Sequence, residues 1–433
     1  MRRLVAAFSL AGTLLCAQTL PELIAASKSA PLLKAADAQS GVYEARSGAA
    51  QSAAYPSLDA VLSGTYLKDK PLVFVHGGSG LPAGTTLQTQ AQELYFGAVK
   101  LTYPLFTGFA VSAGIDAAKI EAMQAQLKAD ESRRNLYWQL VHTYAEAVTS
   151  KAFRQADDEA MKAMQRSYDK AQGFYKKGLL AESELLRIKA DRIATGAERI
   201  RDDNRYETAL LQLSYLSDTN VTAVAPLPKA KAAEPAAVLK AAMQKRPDLQ
   251  ALKAQLQLAQ AHEDAAGSGD YPKVSLYAQL ARQGDTPALD GDGYTNKDKS
   301  AAGFEISYNL FSGFKTRYER EAAKKEQLGA QWALSAYEQQ IRTEIRSSLL
   351  SLNSLRSERD AARARLEAEA AYCARIEGQF EHQLADADLL SRAIASRARA
   401  RSELAVAEAR LYAAYATLQL QISPDAFEAA LKE

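Results

Sequence analysis

The stretch Val99-Lys-Leu-Thr-Tyr-Pro-Leu-Phe-Thr-Gly-Phe109 occurs a second time, with the same pattern, as Phe304-Glu-Ile-Ser-Tyr-Asn-Leu-Phe-Ser-Gly-Phe314. In each copy, apolar residues alternate with polar ones and then lead into a Leu-Phe-x-Gly-Phe turn. Such alternation predicts a β-strand, and the glycine permits a sharp turn into the helix that follows. The strand-to-helix turns predicted in this way comprise Leu105, Phe106, Gly108, Leu310, Phe311 and Gly313.

Two further blocks repeat in the same order, which predicts a chain built from two similar halves. Pro31–Pro56 aligns with Pro247–Pro272 at an offset of 216, and Leu180–Leu186 aligns with Leu384–Leu390 at an offset of 204. Because the first signature repeats at an offset of 205, the first half has a loop about eleven residues longer. We predict a signal peptide over 1–17, a first repeat over 18–217, a linker over 218–246 and a second repeat over 247–433.

The N-terminal residues have the pattern of a secretory signal peptide. Arg2 and Arg3 precede the apolar stretch Leu4–Leu15, and Leu15-Cys16-Ala17 fits a cleavage site. Cys16 also admits a lipoprotein signal, although the bulky residue before it disfavours lipidation. After cleavage Cys373 is the one cysteine left, so a disulfide within the chain is impossible.

Each repeat is predicted to contain a helix, a strand, a Gly-rich loop, a second strand and two long helices joined by a short turn. The first helices are expected at about 20–53 and 236–266. Residues 115–172 contain neither Gly nor Pro, and a helix of that length would measure roughly 90 Å, far beyond a compact domain. A 4-3 spacing of apolar residues indicates coiled-coil packing of the last long helix, at Ala400, Leu404, Ala407, Leu411, Ala414 and Leu418.

The four predicted strands each have one apolar and one polar face. Their length of about ten residues suits a tilted membrane strand, but a soluble sheet packed on a helix gives the same alternation. Four strands cannot close a barrel, and lipid does not tolerate an open edge, so lipid-facing strands would require an oligomer. The apolar faces comprise Leu58, Ala60, Leu62 and Tyr66; Val99, Leu101, Tyr103 and Leu105; Val274, Leu276, Ala278 and Leu280; and Phe304, Ile306, Tyr308 and Leu310.

Composition and motifs argue against several classes of function. With 53 basic and 51 acidic residues, the chain lacks the basic footprint of a nucleic-acid-binding protein. Val73–Gly80 has the appearance of an esterase oxyanion loop, but no Gly-x-Ser-x-Gly turn accompanies it, and we interpret it as the longer outer loop. We therefore expect no enzymatic activity and no cofactor.

No metal site is expected either. Asp285, Asp290 and Asp292 lie in a Gly-rich stretch but lack the spacing of a calcium loop, and a surface hairpin is the better interpretation. The histidines form no zinc pattern; they lie at His76, His142, His262 and His382.

The arrangement of duplicated Tyr-Pro strand starts, Leu-Phe-x-Gly-Phe turns and helix starts resembles the TolC family of outer-membrane efflux and export channels. The resemblance implies a mainly α fold with a small β part. Long helical hairpins of three subunits would form an α-barrel, and four strands from each subunit would form a 12-stranded β-barrel. It also implies a passive duct, of a tripartite efflux or type I secretion system, in the outer membrane of a Gram-negative bacterium and extending into the periplasm.

By the same resemblance, the partners would be two further copies of the chain, a periplasmic adaptor protein, an inner-membrane pump or ABC exporter, and outer-membrane lipid. The alternative is a periplasmic coiled-coil adaptor or scaffold that never enters the membrane. Neither the exported substrate nor the choice between efflux and protein secretion follows from the sequence.

The resemblance also implies that acidic residues just after the second hairpin tip narrow the periplasmic entrance. Asp388 matches one such position, whereas Ser391 stands where a second acid would be. A ring of acids would favour cations, but acids at a helix N-terminus can also simply offset the helix dipole, which we favour for Asp386 and Glu182. The candidates are Asp388, Ser391, Asp386, Glu182 and Glu184 for the gate, and Gly178 and His382 for the hairpin tips and the adaptor contact.

Overall fold

A computed structural model describes residues 17–75, 80, 82, 84–231, 234–382 and 384–432. The predicted signal sequence up to residue 16, and residues 76–79 of the predicted outer loop, lie outside this part. The chain divides into two units, each described by itself. Unit 1 comprises the described parts of Met1–Gln39, Gln126–Gln250 and Ser335–Glu433, and unit 2 comprises those of Ser40–Ala125 and Ala251–Leu334.

The two repeats contain the same order of main elements. The first repeat consists of α1 (Leu20–Ser27), α2 (Pro31–Ser52), β1 (Ser57–Tyr66), β2 (Leu72–Phe74), β3 (Thr86–Gln88), β4 (Glu93–Phe106), α3 (Ala110–Lys176) and α4 (Glu182–Ser217). The second consists of α5 (Pro235–Lys245), α6 (Pro247–Ala266), β5 (Lys273–Gly284), β6 (Ala301–Ser307), α7 (Lys315–Glu381) and α8 (Ala387–Leu420), and α9 (Pro424–Lys432) follows.

The first helix of each repeat is broken in two, whereas the sequence predicted one continuous helix. The breaks precede Pro31 and Pro247, because proline lacks an N–H and disfavours the helical conformation in the residue before it. Arg246, for example, has extended backbone angles of φ −66° and ψ 120°. The segment predicted as a linker over 218–246 includes the helix α5 and the fully buried Val224.

The fourth strand is shorter than predicted. It ends at Ser307 and does not reach Leu310, whereas its counterpart β4 continues to Phe106. The side-chain oxygen of Asn309 accepts a hydrogen bond from the backbone N–H of Phe311 at 3.0 Å. This local turn replaces the ladder, since asparagine side chains readily bond the backbone two residues on.

The four main strands form one antiparallel sheet in the order β1-β4-β5-β6. The register places apolar residues opposite one another, for example Leu101 between Leu58 and Ala278. On the other face, Lys100 lies opposite Asp59 and Gln279. The short pair β2–β3 occupies the longer loop of the first repeat.

Strand pairing and helix length reproduce the internal repeat. Ser57 pairs with Thr102 in the first hairpin, and the residues 216 and 205 positions further on, Lys273 and Ser307, pair in the second. The helices α3 and α7 each contain 67 residues. The two halves therefore follow one plan at the level of single residues.

The core of unit 1 is formed by helix packing. The hydroxyl of the fully buried Tyr144 donates to the carbonyl of Ala225 at 2.8 Å or of Gln18 at 3.0 Å, so its burial leaves no orphaned polar group. The predicted seam of α8 is largely confirmed: Ala400, Ala407, Leu411 and Leu418 are buried, and Leu404 and Ala414 are partly buried. Among helices of the described residues, none is both long and apolar enough to cross a membrane.

Candidate functional site

The first hairpin tip joins α3 to α4 in unit 1. Gly178 has φ +73°, and the N–H of Leu179 donates to the carbonyl of Phe174 at 2.9 Å, which closes the end of α3. Ala181 is the N-cap of α4 and provides no side-chain cap, and Glu182 and Glu184 lie in the first turn of the helix. This placement suits acids that offset the helix dipole.

The second tip, between α7 and α8, has the same hydrogen bonding. The N–H of Leu384 donates to the carbonyl of Gln379 at 2.8 Å, and Asp386 is the N-cap of α8. Its carboxylate accepts a hydrogen bond from the N–H of Leu389 at 2.7 Å. Asp386 is therefore a helix-capping residue, in keeping with the dipole interpretation.

The two tips correspond at an offset of 205, so the offset of 204 predicted from sequence is wrong by one residue. Both turns have the same length, because α3 and α7 end, and α4 and α8 begin, 205 positions apart. The two helix starts, Leu180–Leu186 and Leu384–Leu390, have similar sequences, and this similarity favours an alignment shifted by one residue. The true counterparts are Lys177 for His382, Ser183 for Asp388, Ala387 for Glu182 and Leu389 for Glu184. The counterpart of Gly178 is residue 383, outside the described part of the chain.

A buried cluster joins the two hairpins near their tips. Met164 of α3, Ile188 of α4, Cys373 of α7 and Ile394 of α8 all belong to it. Ser391 is 7% exposed, and its hydroxyl lies 3.9 Å from the sulfur of Met164. Its prediction as a gate-lining residue is therefore corrected, because the side chain is packed between the helices.

Asp388 is engaged in two ion pairs. One is with Arg187 of α4, and the other, at 2.6 Å, is with Arg392 one turn further along α8. The carboxylate is partly buried, while both arginines are largely exposed. The acid is thus balanced by charge within the subunit and connects the first hairpin to the second.

Further ion pairs link the helices near the tips. Lys170 of α3 pairs with Glu381 at the end of α7, and Arg401 of α8 pairs with Glu159 of α3. The hydrogen bond from Lys170 lowers the pKa of the Glu381 carboxyl below its ordinary value. His382, next to this pair, is exposed.

Arg187 is the functional candidate that sequence reasoning missed. Its side chain pairs with Asp388, about 200 positions away in the chain, and no local sequence pattern predicts such a contact. One signal was available, since Arg187 and Arg392 occupy equivalent positions at the offset of 205.

The predicted strand-to-helix turns lie in unit 2 and have the same backbone in both repeats. Gly108 and Gly313 have φ +64° and +65°, and the phenylalanines that follow them, Phe109 and Phe314, are also left-handed at φ +69° and +64°. Two successive left-handed residues reverse the chain sharply, and only the first is glycine. Leu105 and Leu310 are exposed next to these turns.

In the described residues, no group of three or more His, Cys, Asp or Glu side chains could hold a metal ion. The carboxylate of Asp292 accepts hydrogen bonds from the N–H groups of Tyr294 at 3.0 Å and Thr295 at 2.8 Å. It therefore serves the turn between β5 and β6.

Comparisons with known proteins agree with this architecture. A family model described as outer membrane efflux protein matches residues 23–217 and 238–422. Comparison with curated protein sequences gave no match.

Several solved structures share the fold. The outer membrane protein VceC of Vibrio cholerae is 17% identical, with a TM-score of 0.76 over 94% of this chain and 96% of that one. The Campylobacter jejuni CmeC outer membrane channel is 16% identical, with a TM-score of 0.76 over 94% and 85%. The Neisseria gonorrhoeae MtrE outer membrane channel is 18% identical, with a TM-score of 0.70 over 94% and 88%.

The family match covers both repeats, which favours the channel over the alternative of a periplasmic adaptor or scaffold. Together with the duplicated fold, it shows that the chain belongs to the outer membrane efflux protein family.

Proposed function

We propose that the chain is one subunit of a homotrimeric duct that carries solutes passively out of the periplasm across the outer membrane. The observation that carries the proposal is the open four-stranded sheet. Both outer strands, β1 and β6, have one edge without a partner strand in the described chain. Lipid requires every backbone N–H and C=O to be paired, so such a sheet must close through further copies.

The apolar face of the sheet supports contact with lipid. Leu62, Leu280 and Phe304 are among its most exposed large side chains. They share the face whose apolar residues lie opposite one another in the register. An apolar face of this size on a free subunit is a feature of membrane or protein contacts. Three copies would supply twelve strands, within the range of outer-membrane channels.

The helical hairpins would extend into the periplasm, with the tips near the entrance. In this proposal the pair between Asp388 and Arg187 holds the two hairpins of a subunit together. The ring formed by three subunits would then present paired rather than free acids, and breaking the pair would loosen the entrance. We assign the gate to this pair and not to Ser391.

The hairpin tips are also the proposed contact with a periplasmic adaptor, which would connect the duct to an inner-membrane pump or ABC exporter. Leu179 and Leu384 occupy equivalent positions of the two tips and are both exposed. Next to them, Gly178 and His382 complete the candidate surface. Exposed apolar side chains at equivalent turns would give an adaptor two similar points of attachment.

Membrane fractionation combined with planar-bilayer recording tests the proposal. The purified chain should be recovered from the outer membrane as a trimer and should form ion-conducting channels. Recovery as a soluble periplasmic monomer, or as a membrane protein that never conducts, would contradict it.

A further inference from the structure

The strand-to-helix junction after β4, in unit 2, is covered by the segment that precedes β5. The ring of Tyr271, just before β5, lies edge-to-face against Phe109 at 5.3 Å and Phe106 at 6.5 Å between centroids. A Cβ at Gly108 would lie 2.5 Å from the carbonyl oxygen of Ser268 and 3.0 Å from the Cβ of Tyr271. The segment preceding β5 therefore closes directly onto the turn.

The equivalent junction after β6 is open. Phe311 and Phe314 repeat the edge-to-face pair, with 5.5 Å between centroids, but are 73% and 58% exposed. Apart from Gly313 itself and its two chain neighbours, no described residue has a heavy atom within 4 Å of a Cβ placed on Gly313. In the described part of the chain, nothing takes the place that Tyr271 has in the first junction.

Counterparts of Tyr271 and Ser268 are present in the first repeat. At the offset of 216 between repeats, Tyr271 corresponds to Tyr55 and Ser268 corresponds to Ser52, both just before β1. Tyr55 is 68% exposed. Because β1 and β6 are opposite edges of the sheet, Tyr55 of the same chain does not adjoin Phe314.

We propose that Tyr55 of a second copy packs against Phe311 and Phe314, as Tyr271 packs against Phe106 and Phe109 within the chain. This inference rests on the proposed trimeric duct and adds the contact between subunits. Edge-to-face stacking of aromatic rings would favour one specific docked position. Ser52 of the second copy would approach Gly313, so that position requires glycine for space as well as for its positive φ.

The same correspondence predicts the register between subunits. Within the chain, Leu101 lies opposite Ala278 and Val99 opposite Leu280. We obtain the equivalent pairs between subunits by adding 205 to the β4 residue and subtracting 216 from the β5 residue. Ile306 then lies opposite Leu62 of the second copy, and Phe304 lies opposite its Gly64. The ring of Tyr95 in that copy lies 3.2 Å from a Cβ placed on its Gly64, so the exposed ring of Phe304 would pack beside an aromatic ring.

Engineered cysteines test this register. Opposite residues of an antiparallel pair have Cα atoms about 4.5–5.5 Å apart, within the range of about 4.4–6.8 Å that disulfides span. A chain carrying Leu62→Cys and Ile306→Cys should form interchain disulfides in membranes and migrate as a covalent trimer without reductant. The matched control carries Leu62→Cys and Glu305→Cys, whose side chains point to opposite faces of the sheet. It should form no interchain disulfide and should migrate as a monomer without reductant.

A second pair of variants tests the aromatic contact. Tyr55→Ala should lower the temperature at which the trimer dissociates in detergent, whereas Tyr55→Phe, which keeps the ring, should preserve it. A conducting trimer that fails to crosslink through Leu62→Cys and Ile306→Cys would overturn the proposed register and leave the duct standing. Absence of any oligomer with a general amine crosslinker would instead overturn the duct.

Discussion

Cys373 illustrates how burial controls the chemistry of one side chain. Its thiol is fully buried in the cluster near the hairpin tips, and burial raises its pKa to about 11. The side chains that surround it in this cluster are apolar. What the sequence could not supply was the set of neighbours, because they come from all four long helices.

We expect Cys373 to react very slowly in the native protein. A rise from the ordinary value of 9.0 to about 11 reduces the thiolate at neutral pH roughly 100-fold, and burial slows attack further. Mass spectrometry after N-ethylmaleimide treatment should find this cysteine unmodified in the folded protein and modified in denaturant. Equal labelling in both states would show that the cluster is open.

Asp157 should make stability depend on pH. Burial, followed by the nearby charge of Asp202, raises its pKa to about 7. An unfolded aspartate has a pKa near 3.9, so between the two values the folded state binds more protons, and stability falls as the pH rises.

The thermal midpoint should therefore decrease from about pH 5 to about pH 8. Asp157→Asn should flatten this slope. The control Asp158→Asn removes a carboxylate paired with Arg199 and should retain most of the slope, because burial and Asp202 raise the pKa of Asp157 more than Asp158 does. Scanning calorimetry in detergent provides the measurement, and an unchanged slope in Asp157→Asn would assign the effect to other groups.

At the scale of elements, the sequence identifies strands and long helices better than it identifies which helix faces meet. Alternation and the absence of Gly and Pro are local signals, so the sheet and the long helices could be predicted. Ser391 was misjudged because the buried face of α8 depends on α3, more than 200 residues earlier in the chain. The pairing of Asp388 with Arg187 was missed for the same reason.

The ion pair between Asp388 and Arg187, which we call the clamp, links the two hairpins and gives a prediction at the scale of elements. In the proposed duct, Arg187→Gln and Asp388→Asn should weaken the closed entrance to a similar extent, and the double variant should resemble either single one. Because the pair is partly exposed, we expect an effect of at most about 1 kcal/mol, or roughly a fivefold change in open probability. Single-channel recording in planar bilayers measures it.

Arg392→Gln is the matched control for this clamp. It removes the partner within α8 but leaves the link between hairpins, so its effect should be smaller. If Arg392→Gln and Arg187→Gln behave alike, Asp388 acts through its local charge alone and not as a connection between hairpins.

At the scale of the molecule, a buried charge network in unit 1 connects the start of the second repeat to α3 and α7. Arg246 contacts Asp248 at 2.9 Å and Glu344 at 3.0 Å, and Asp248 also pairs with Arg134 at 2.9 Å. Burial alone would raise the pKa of Asp248, but the hydrogen bond from Arg134 and the charge of Arg246 bring it below the ordinary value. Charge complementarity thus holds the junction between repeats.

Asp248→Ala should destabilise the protein by about 3 kcal/mol or more, because it leaves the buried Arg246 with its main partner removed. The neighbouring exposed variant Lys245→Ala should change stability by no more than about 0.5 kcal/mol. Thermal unfolding followed by circular dichroism compares the two. Equal midpoints would show that water replaces the lost carboxylate.

The equal length of α3 and α7 limits how the protein can be re-engineered. Inserting one residue into a helix rotates everything beyond it by about 100°, which would turn the buried face of one hairpin away from the other. Seven residues restore the orientation to within about 20°. Variants with longer or shorter hairpins should therefore be made in steps of seven, and in both repeats at positions 205 apart.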